Sequence, residues 1–218
     1  SSSSAASDVY KRQVLLGLLS IELFTASKNE AAIELEHESK FNEDYRVYAI
    51  PTPKNVDFAG EAVPLNLIDV KEKLDRELLV NTYWQSQTML FVKRSNRWFP
   101  VIEKILNEQG VPDDLKYIAL IESGLDQVVS PAGATGYWQL MKTAARENGL
   151  EISSGIDERY NIEKSTVAAC QYLKLAYAKF GSWTLATASY NMGIAGLQKQ
   201  LYRQQATNSC KLVLNCET

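Results

Sequence analysis

The stretch ALIESGLDQVVSPAGATGYWQLM, residues 119–141, places a carboxylate, Glu122, directly after an apolar run. Upstream, Pro112-Asp113-Asp114 is typical of a helix start, and Gly124 is typical of a helix stop. Between them only Lys116 is polar from Leu115 to Ile121, which predicts a helix that is buried nearly all round. The carboxylate would then stand at the end of that helix.

The surroundings of Glu122 favour an uncharged carboxyl group. The residues three, four and seven positions before it are Ala119, Ile118 and Leu115, so its side chain shares their apolar face at the negative end of the helix. Because both conditions disfavour the carboxylate anion, we expect the pKa of Glu122 to be raised. A carboxyl group that keeps its proton can serve as a general acid. The alternative is a surface glutamate at a frayed helix end.

Composition limits the kinds of function that the chain can have. At 218 residues, with 45% hydrophobic and 22% charged residues, it can form one well-packed domain with extensions. A net charge of −3 argues against a nucleic-acid partner. His37 is the only histidine, so a Ser-His-Asp site, a Cys-His site or a histidine-ligated zinc would have to use it. We therefore expect acid–base chemistry on carboxylates, with no metal and no cofactor.

The first 66 residues differ in character from the rest. Residues 1–13 resemble translated adapter sequence and are expected to be non-native. Residues 14–27, VLLGLLSIELFTAS, read as the remnant of a secretory signal, with an amphipathic helix as the alternative. The polar residues 28–66 predict a linker or extended lead-in. The domain proper is expected at 67–218.

Apolar spacing in residues 67–218 predicts a mainly α domain. Helices are expected over 69–79, 88–109, 137–147, 163–180, 183–192 and from there to about residue 203, with a cleft-forming loop at 130–136 and no convincing strand. Cys170, Trp98 and Trp183 are expected in the core, whereas Trp138 could be a core or a sugar-stacking residue. Asp157-Glu158-Arg159 is interpreted as a structural charge cluster. Cys210 and Cys216 could pair in an oxidising compartment.

Five motifs follow one another in a recognisable order. They are Glu122-Ser123, the SPAGATGYWQLM segment of 130–141, Asp157-Glu158-Arg159, the ASYNMG segment of 188–193 and Glu217-Thr218. Over residues 79–218 the chain resembles the lytic transglycosylase domain of the soluble-transglycosylase (SLT) type and is most similar to the membrane-bound D subgroup. The family pattern continues past its Glu-Thr motif, so we expect the domain to be truncated at its C-terminus.

The resemblance implies a lysozyme-like (goose-type/SLT) fold with a cleft. It also implies cleavage of the β-1,4 bond between N-acetylmuramic acid and N-acetylglucosamine in peptidoglycan, in the periplasm or cell envelope. The expected partner is the glycan strand of peptidoglycan, bound by a monomer associated with the membrane or the cell wall. Glu122 matches the single catalytic acid/base of the family. The substrate-binding positions would be Ser123, Ser130, Gln139, Met141, Tyr190, Asn191 and Glu217.

The chemistry of a single carboxyl group agrees with this assignment. The group can protonate the leaving oxygen and then accept the proton of the muramic C6 hydroxyl, which closes a 1,6-anhydro ring, whereas hydrolysis usually needs two carboxyl groups. Asp126 is the nearest candidate for a second carboxylate, so a hydrolytic muramidase is one alternative. A non-catalytic glycan-binding domain on the same fold is another. If the site is real, Glu122, Ser130, Gln139 and Tyr190 should border one cavity.

Overall fold

The computed structural model describes residues 50–205 together with residues 32–33, 35–37 and 39–40. The chain divides into two units, Ser1–Ala49 and Ile50–Thr218. In the first unit the described residues are helical. The predictions for residues 1–13 and 14–27, and those for Cys210, Cys216 and Glu217, lie outside the described residues. Among the described helices, none has the length and apolar character needed to cross a membrane.

The described part of the second unit is mostly helical, which confirms the predicted mainly α class. In residues 50–205 a two-stranded hairpin comes first, followed by seven α-helices, and two short 3-10 turns precede α3 and α5. The strands are β1 (Asp57–Phe58) and β2 (Glu61–Ala62), and the 3-10 turns are Asp113–Leu115 and Glu158–Tyr160. The helices are α1 (Ile68–Tyr83), α2 (Gln85–Gln109), α3 (Lys116–Ser123), α4 (Lys142–Glu147), α5 (Ile162–Phe180), α6 (Trp183–Met192) and α7 (Ile194–Gln204).

Helix α5 forms the centre of the core, between α2 and α6. Its buried face consists mainly of small residues, including Ala168, Ala169 and Cys170, which let neighbouring helices approach closely. Burial raises the pKa of the Cys170 thiol to about 12, so this residue is an inert core residue, as predicted. Trp138 is fully buried and donates its indole N–H to Thr166 Oγ1 at 2.8 Å. The structure thus assigns Trp138 to the core.

Helix α3 is amphipathic, and the prediction that it is buried nearly all round is wrong. Its core face carries Ile118 and Ala119, following the buried Leu115, whereas Tyr117 is 43% exposed and Ile121 is 80% exposed. A helix at the domain surface buries only one face, so the apolar residues on the other face of α3 remain in solvent.

The prediction of a helix over 137–147 is wrong in its first half, because α4 begins only at Lys142. Residues 128–140 form turns, with bridges from Thr135 to Val129 and to Leu140. Gly136 has φ 80° and Gln139 has φ 46°, values that an α-helix cannot include. The hairpin β1–β2 was missed because strands of two residues are too short to show alternation.

Residues 50–66 pack onto the domain rather than leading into it. The Ala59 N–H donates to Asp114 Oδ2 at 2.7 Å. Glu61 accepts hydrogen bonds from Ser182 Oγ at 2.8 Å and from the Trp183 and Thr184 N–H groups, and so caps the start of α6. Burial opposes ionisation, but these hydrogen bonds hold the pKa of Glu61 below its usual value. The compact unit that contains these contacts begins at Ile50, before the domain start expected at residue 67.

Candidate active site

Glu122 lies in the last turn of α3, one residue before the helix ends at Ser123. Gly124, with φ 62°, terminates the helix in the left-handed conformation. Burial raises the pKa of the half-buried Glu122 carboxyl group, in the direction predicted from the sequence. Within the described part of the chain, this group accepts no hydrogen bond and forms no ion pair. The group is therefore suited to hold a proton and to transfer it to a ligand.

Tyr190, on α6, lies within electrostatic reach of Glu122 although 68 residues separate them in sequence (190 minus 122). Burial raises the pKa of the Tyr190 hydroxyl well above its usual value, and the negative charge of Glu122 raises it further. The hydroxyl donates to the carbonyl oxygen of Trp138 at 2.7 Å, and the ring packs edge-on against Tyr172 at 5.5 Å. The Tyr190 hydroxyl is thus held neutral, and its single proton is used within the protein.

The loop from Ser130 to Gln139 is held by its own polar side chains. Ser130 Oγ accepts the Ala134 N–H at 3.0 Å, and Gln139 Nε2 donates to the carbonyl oxygens of Val128 at 2.9 Å and Gly136 at 2.8 Å. Within the described residues, neither the hydroxyl hydrogen of Ser130 nor Oε1 of Gln139 forms a hydrogen bond. One donor and one acceptor thus stay available for a ligand.

Ser123 is turned into the fold. Its Oγ lies 2.7 Å from the carbonyl oxygen of Tyr137 and 3.0 Å from that of Ala119, so its single proton is used within the protein. The hydroxyl joins the end of α3 to the following loop. Ser123 is therefore better described as a positioning residue than as the substrate-binding residue that we predicted.

The remaining predicted residues differ in position. Asn191 is exposed beside Tyr190, and its side-chain amide makes no hydrogen bond within the described chain. Met141 is 47% exposed at the start of α4. Glu217 lies outside the described residues. The structure thus brings Tyr190 to Glu122 and leaves Asn191 and Met141 open to solvent.

The sequence did not predict that the Arg159 side chain holds the loop of residues 130–140 in place by hydrogen bonds. This side chain is 7% exposed, and its Nη1 donates to the carbonyl oxygens of Gly133 and Leu140 at 3.0 Å each. Its Nη2 pairs with Asp157 at 2.7 Å, and this hydrogen-bonded partner holds the pKa of Asp157 below its usual value. The structural role predicted for Asp157-Glu158-Arg159 is confirmed: through Arg159, the cluster holds the loop that follows α3.

The described residues contain no group of three histidine, cysteine, aspartate or glutamate side chains that could hold a metal ion. The described residues predicted to bind substrate offer mainly hydroxyl and amide groups. Such atoms suit the hydroxyl and acetamido groups of a sugar.

Residues 99–213 match the family model described as "Transglycosylase SLT domain". The chain belongs to this family. The membership, together with the helical architecture, confirms the predicted lysozyme-like fold class and the resemblance noted above. Within the SLT domain, Glu122 and Tyr190 both lie in the matched range.

The SLT-domain chain is also similar to curated proteins. It is 25% identical over 154 residues to "Membrane-bound lytic murein transglycosylase D" of Escherichia coli (strain K12), which covers 68% of this chain and 33% of that protein. The protein of the same name from Escherichia coli O6:H1 matches equally. A protein of Alteromonas sp. (strain M-1), whose name refers to tributyltin chloride resistance, is 31% identical over 111 residues, 49% of this chain and 54% of that protein. The chain spans about a third of the length of the two Escherichia coli relatives.

Proposed function

We propose that this SLT-domain protein is a peptidoglycan lytic transglycosylase, a lyase that needs no metal or cofactor. It would cleave the β-1,4 bond between N-acetylmuramic acid and N-acetylglucosamine and leave 1,6-anhydro-muramic acid ends. The observation that carries the proposal is the Glu122 carboxyl group, half-buried, with a raised pKa and no partner within the described chain. The names of the Escherichia coli relatives support it.

In the proposed reaction Glu122 acts twice. Its carboxyl group first donates a proton to the glycosidic oxygen, so that N-acetylglucosamine leaves as a neutral alcohol while the C1–O bond breaks. The resulting carboxylate then accepts the proton of the muramic C6 hydroxyl, and O6 bonds to C1. The enzyme regains its proton and no water is consumed. A raised pKa helps the first step because it keeps the group protonated.

We further propose that the side chains around Glu122 hold the glycan. Ser130 and Gln139 each keep one polar atom free, and Asn191 offers an exposed amide next to Tyr190. Met141 gives an apolar contact for a sugar face, and Glu217 would contribute an acidic contact. Tyr190 would act mainly by fixing the loop through Trp138.

Asp126 does not favour the hydrolytic alternative. A muramidase would use a second carboxylate to activate water or to form a covalent intermediate. Asp126 Oδ2 is already paired with Arg94 Nη2 at 2.7 Å, and Asp126 Oδ1 accepts the Gln127 N–H at 2.9 Å. Both oxygens are thus occupied within the protein. A purely glycan-binding domain would have no need of the raised pKa at Glu122.

The deciding experiment is mass spectrometry of peptidoglycan digested by the purified protein. We expect muropeptides that end in 1,6-anhydro-muramic acid from the wild type and none from Glu122→Gln. Reducing-end muramic acid as the main product would overturn the proposal in favour of a muramidase. Binding of glycan without release of any muropeptide would indicate a non-catalytic domain.

Peptidoglycan lies in the cell envelope, so we propose that the protein acts in the periplasm or cell envelope. We propose that it works there as a monomer, in association with the membrane or the cell wall. Fractionation of cells expressing the tagged chain would test this, with recovery in the cytoplasmic fraction as the contrary result.

A further inference from the structure

A cavity of about 560 Å³ lies between α2 and the loop that follows α3. One wall is the segment that directly follows the Glu122 helix, residues 125–127, and the opposite wall is the middle of α2. Tyr137, whose carbonyl oxygen lies 2.7 Å from Ser123 Oγ, completes it. The lining residues are Lys93, Arg94, Arg97, Trp98, Leu125, Asp126, Gln127 and Tyr137.

The charge of this cavity is positive, in a chain whose net charge is −3. Three cationic side chains face one carboxylate, and that carboxylate, Asp126, is neutralised by Arg94. Lys93 and Arg97 form no ion pair within the described chain. Two positive charges are therefore left uncompensated in one concave site. Such an arrangement raises the local concentration of anions.

The aromatic side chains give the cavity a defined shape. The Arg97 guanidinium carbon lies 4.5 Å from the centre of the Trp98 ring, a cation–π contact that limits its orientations. Trp98 in turn packs edge-on against Tyr137 at 5.1 Å. Arg94 is fixed as well, since its Nη1 donates to the carbonyl oxygen of Gly124 at 3.0 Å. Arg94 and Arg97 therefore hold defined positions on the wall of the cavity.

We propose that this cavity binds a carboxylate of the peptide stem attached to the muramyl sugar beside the cleaved bond. This inference rests on the function proposed above. In a strand that carries peptide stems, the carboxyl group of each muramyl sugar is joined to its peptide by an amide bond, so the sugars are uncharged. The negative charges of the strand are therefore the carboxylates of its peptides. Lys93 and Arg97 would pair with such a carboxylate, and the Trp98 and Tyr137 rings would contact the neighbouring peptide atoms. The site would thus favour stem-bearing strands over uncharged glycan.

The test measures binding in the Glu122→Gln background, in which the strand is not cleaved. The ligands are stem-bearing strands with native carboxylates and the same strands after conversion of the carboxylates to primary amides. We expect Lys93→Gln/Arg97→Gln to weaken binding of the native strands by about five- to tenfold, the effect of losing two solvent-exposed ion pairs. Binding of the amidated strands should change less than about twofold. Added salt should reduce the difference between the two ligands.

Lys179→Gln/Arg203→Gln is the matched control, because it removes two exposed cations from other helices without touching the cavity. It should leave the preference for native strands unchanged. Equal loss in both double variants, or equal loss on both ligands, would overturn the inference. So would tighter binding of vesicles containing phosphatidylglycerol than of native strands, if that binding is lost in Lys93→Gln/Arg97→Gln.

Turnover of the amidated strands by the wild type separates this inference from the function on which it rests. If 1,6-anhydro ends form from amidated and native strands at the same rate and affinity, the stem site is absent and the transglycosylase remains. If they form from neither, the proposed function itself fails. A clear preference for native strands supports both.

Discussion

The hydroxyl group of Tyr190 donates a 2.7 Å hydrogen bond to the carbonyl oxygen of Trp138. Trp138 is itself fully buried and bonded through its indole to Thr166 on α5. The loop beside Glu122 is therefore joined to two helices, α5 and α6, at a single residue. This arrangement explains how a loop with little regular structure can hold polar groups in fixed positions.

Replacing Tyr190 with Phe should remove the hydrogen bond to the Trp138 carbonyl oxygen while the ring still fills the same space in the core. We expect the free energy of unfolding to fall by about 1 kcal/mol, because one buried hydrogen bond is lost. Turnover should decrease less than in Glu122→Gln. Urea denaturation and a peptidoglycan assay measure the two effects. Tyr202→Phe, at a tyrosine that is 89% exposed, is the control and should match the wild type. An unchanged Tyr190→Phe protein would mean that the hydrogen bond contributes nothing.

Arg159→Lys tests the connection on the opposite side of the loop. Lysine keeps the charge but lacks the planar fork that serves Asp157, Gly133 and Leu140 together. We expect a loss of about 2 kcal/mol in the free energy of unfolding, since at least one buried carbonyl group loses its donor. Turnover should fall as the loop shifts. Arg203→Lys, at an exposed arginine, should change neither quantity. Equal urea unfolding midpoints for Arg159→Lys and Arg203→Lys would contradict the role of Arg159 in holding the loop.

Gly136 and Gly133 offer a matched pair in the same loop. Both have positive φ, 80° and 87°, but a Cβ atom at Gly136 would lie 2.1 Å from the carbonyl oxygen of Arg159, whereas at Gly133 it would meet open space. Alanine at either position incurs the cost of a left-handed backbone. We expect Gly136→Ala to cost about 1–3 kcal/mol more than Gly133→Ala in the free energy of unfolding, because only it causes overlap. Similar unfolding midpoints would show that the loop relaxes freely.

The sequence predicts the helices well where apolar spacing and stop signals agree. Helix α2 ends before Gly110 and α5 before Gly181, each in the left-handed conformation, as their patterns indicate. The same reasoning fails at residues 137–140, where apolar residues suggest a helix but Gln139 adopts φ 46°. Non-glycine residues rarely adopt such values, so the residue type gives no warning.

In the candidate site, local sequence patterns predict only Glu122. Its apolar face and helix end can be read from the sequence, and the raised pKa follows from them. Tyr190 is found only through the resemblance to a family, because no local pattern relates residues 68 positions apart. The partners of Arg159 lie 19 and 26 residues away, and the inward turn of Ser123 depends on Tyr137. Such long-range contacts are set by packing.

The raised pKa of Glu122 also predicts how stability depends on pH. A carboxyl group with a higher pKa in the folded than in the unfolded protein stabilises the fold when protonated, and this contribution is lost as pH rises through the folded pKa. Glu122→Gln removes the cost of the buried charge. We therefore expect this variant to unfold at higher temperature than the wild type above that pKa, with the difference shrinking as pH falls toward the unfolded value. Melting curves at several pH values measure it. A difference that grows toward acid pH would contradict the burial of Glu122.

The same substitution gives the last prediction, on catalysis. Glutamine keeps the shape of Glu122 but can neither donate nor accept the proton that the reaction moves. Turnover should fall by at least about 10²–10⁴-fold, the usual contribution of a general acid–base group, while binding of glycan strands persists. Asp126→Asn is the matched control: it removes the carboxylate four residues after Glu122, at the cost of a partly exposed ion pair with Arg94. It should keep turnover within a few-fold of the wild type and keep the 1,6-anhydro product. In the wild type, turnover should decline as pH rises through the pKa of Glu122, since the protonated group starts the reaction. Comparable losses in Glu122→Gln and Asp126→Asn would mean that two carboxylates share the chemistry, which is the signature of hydrolysis.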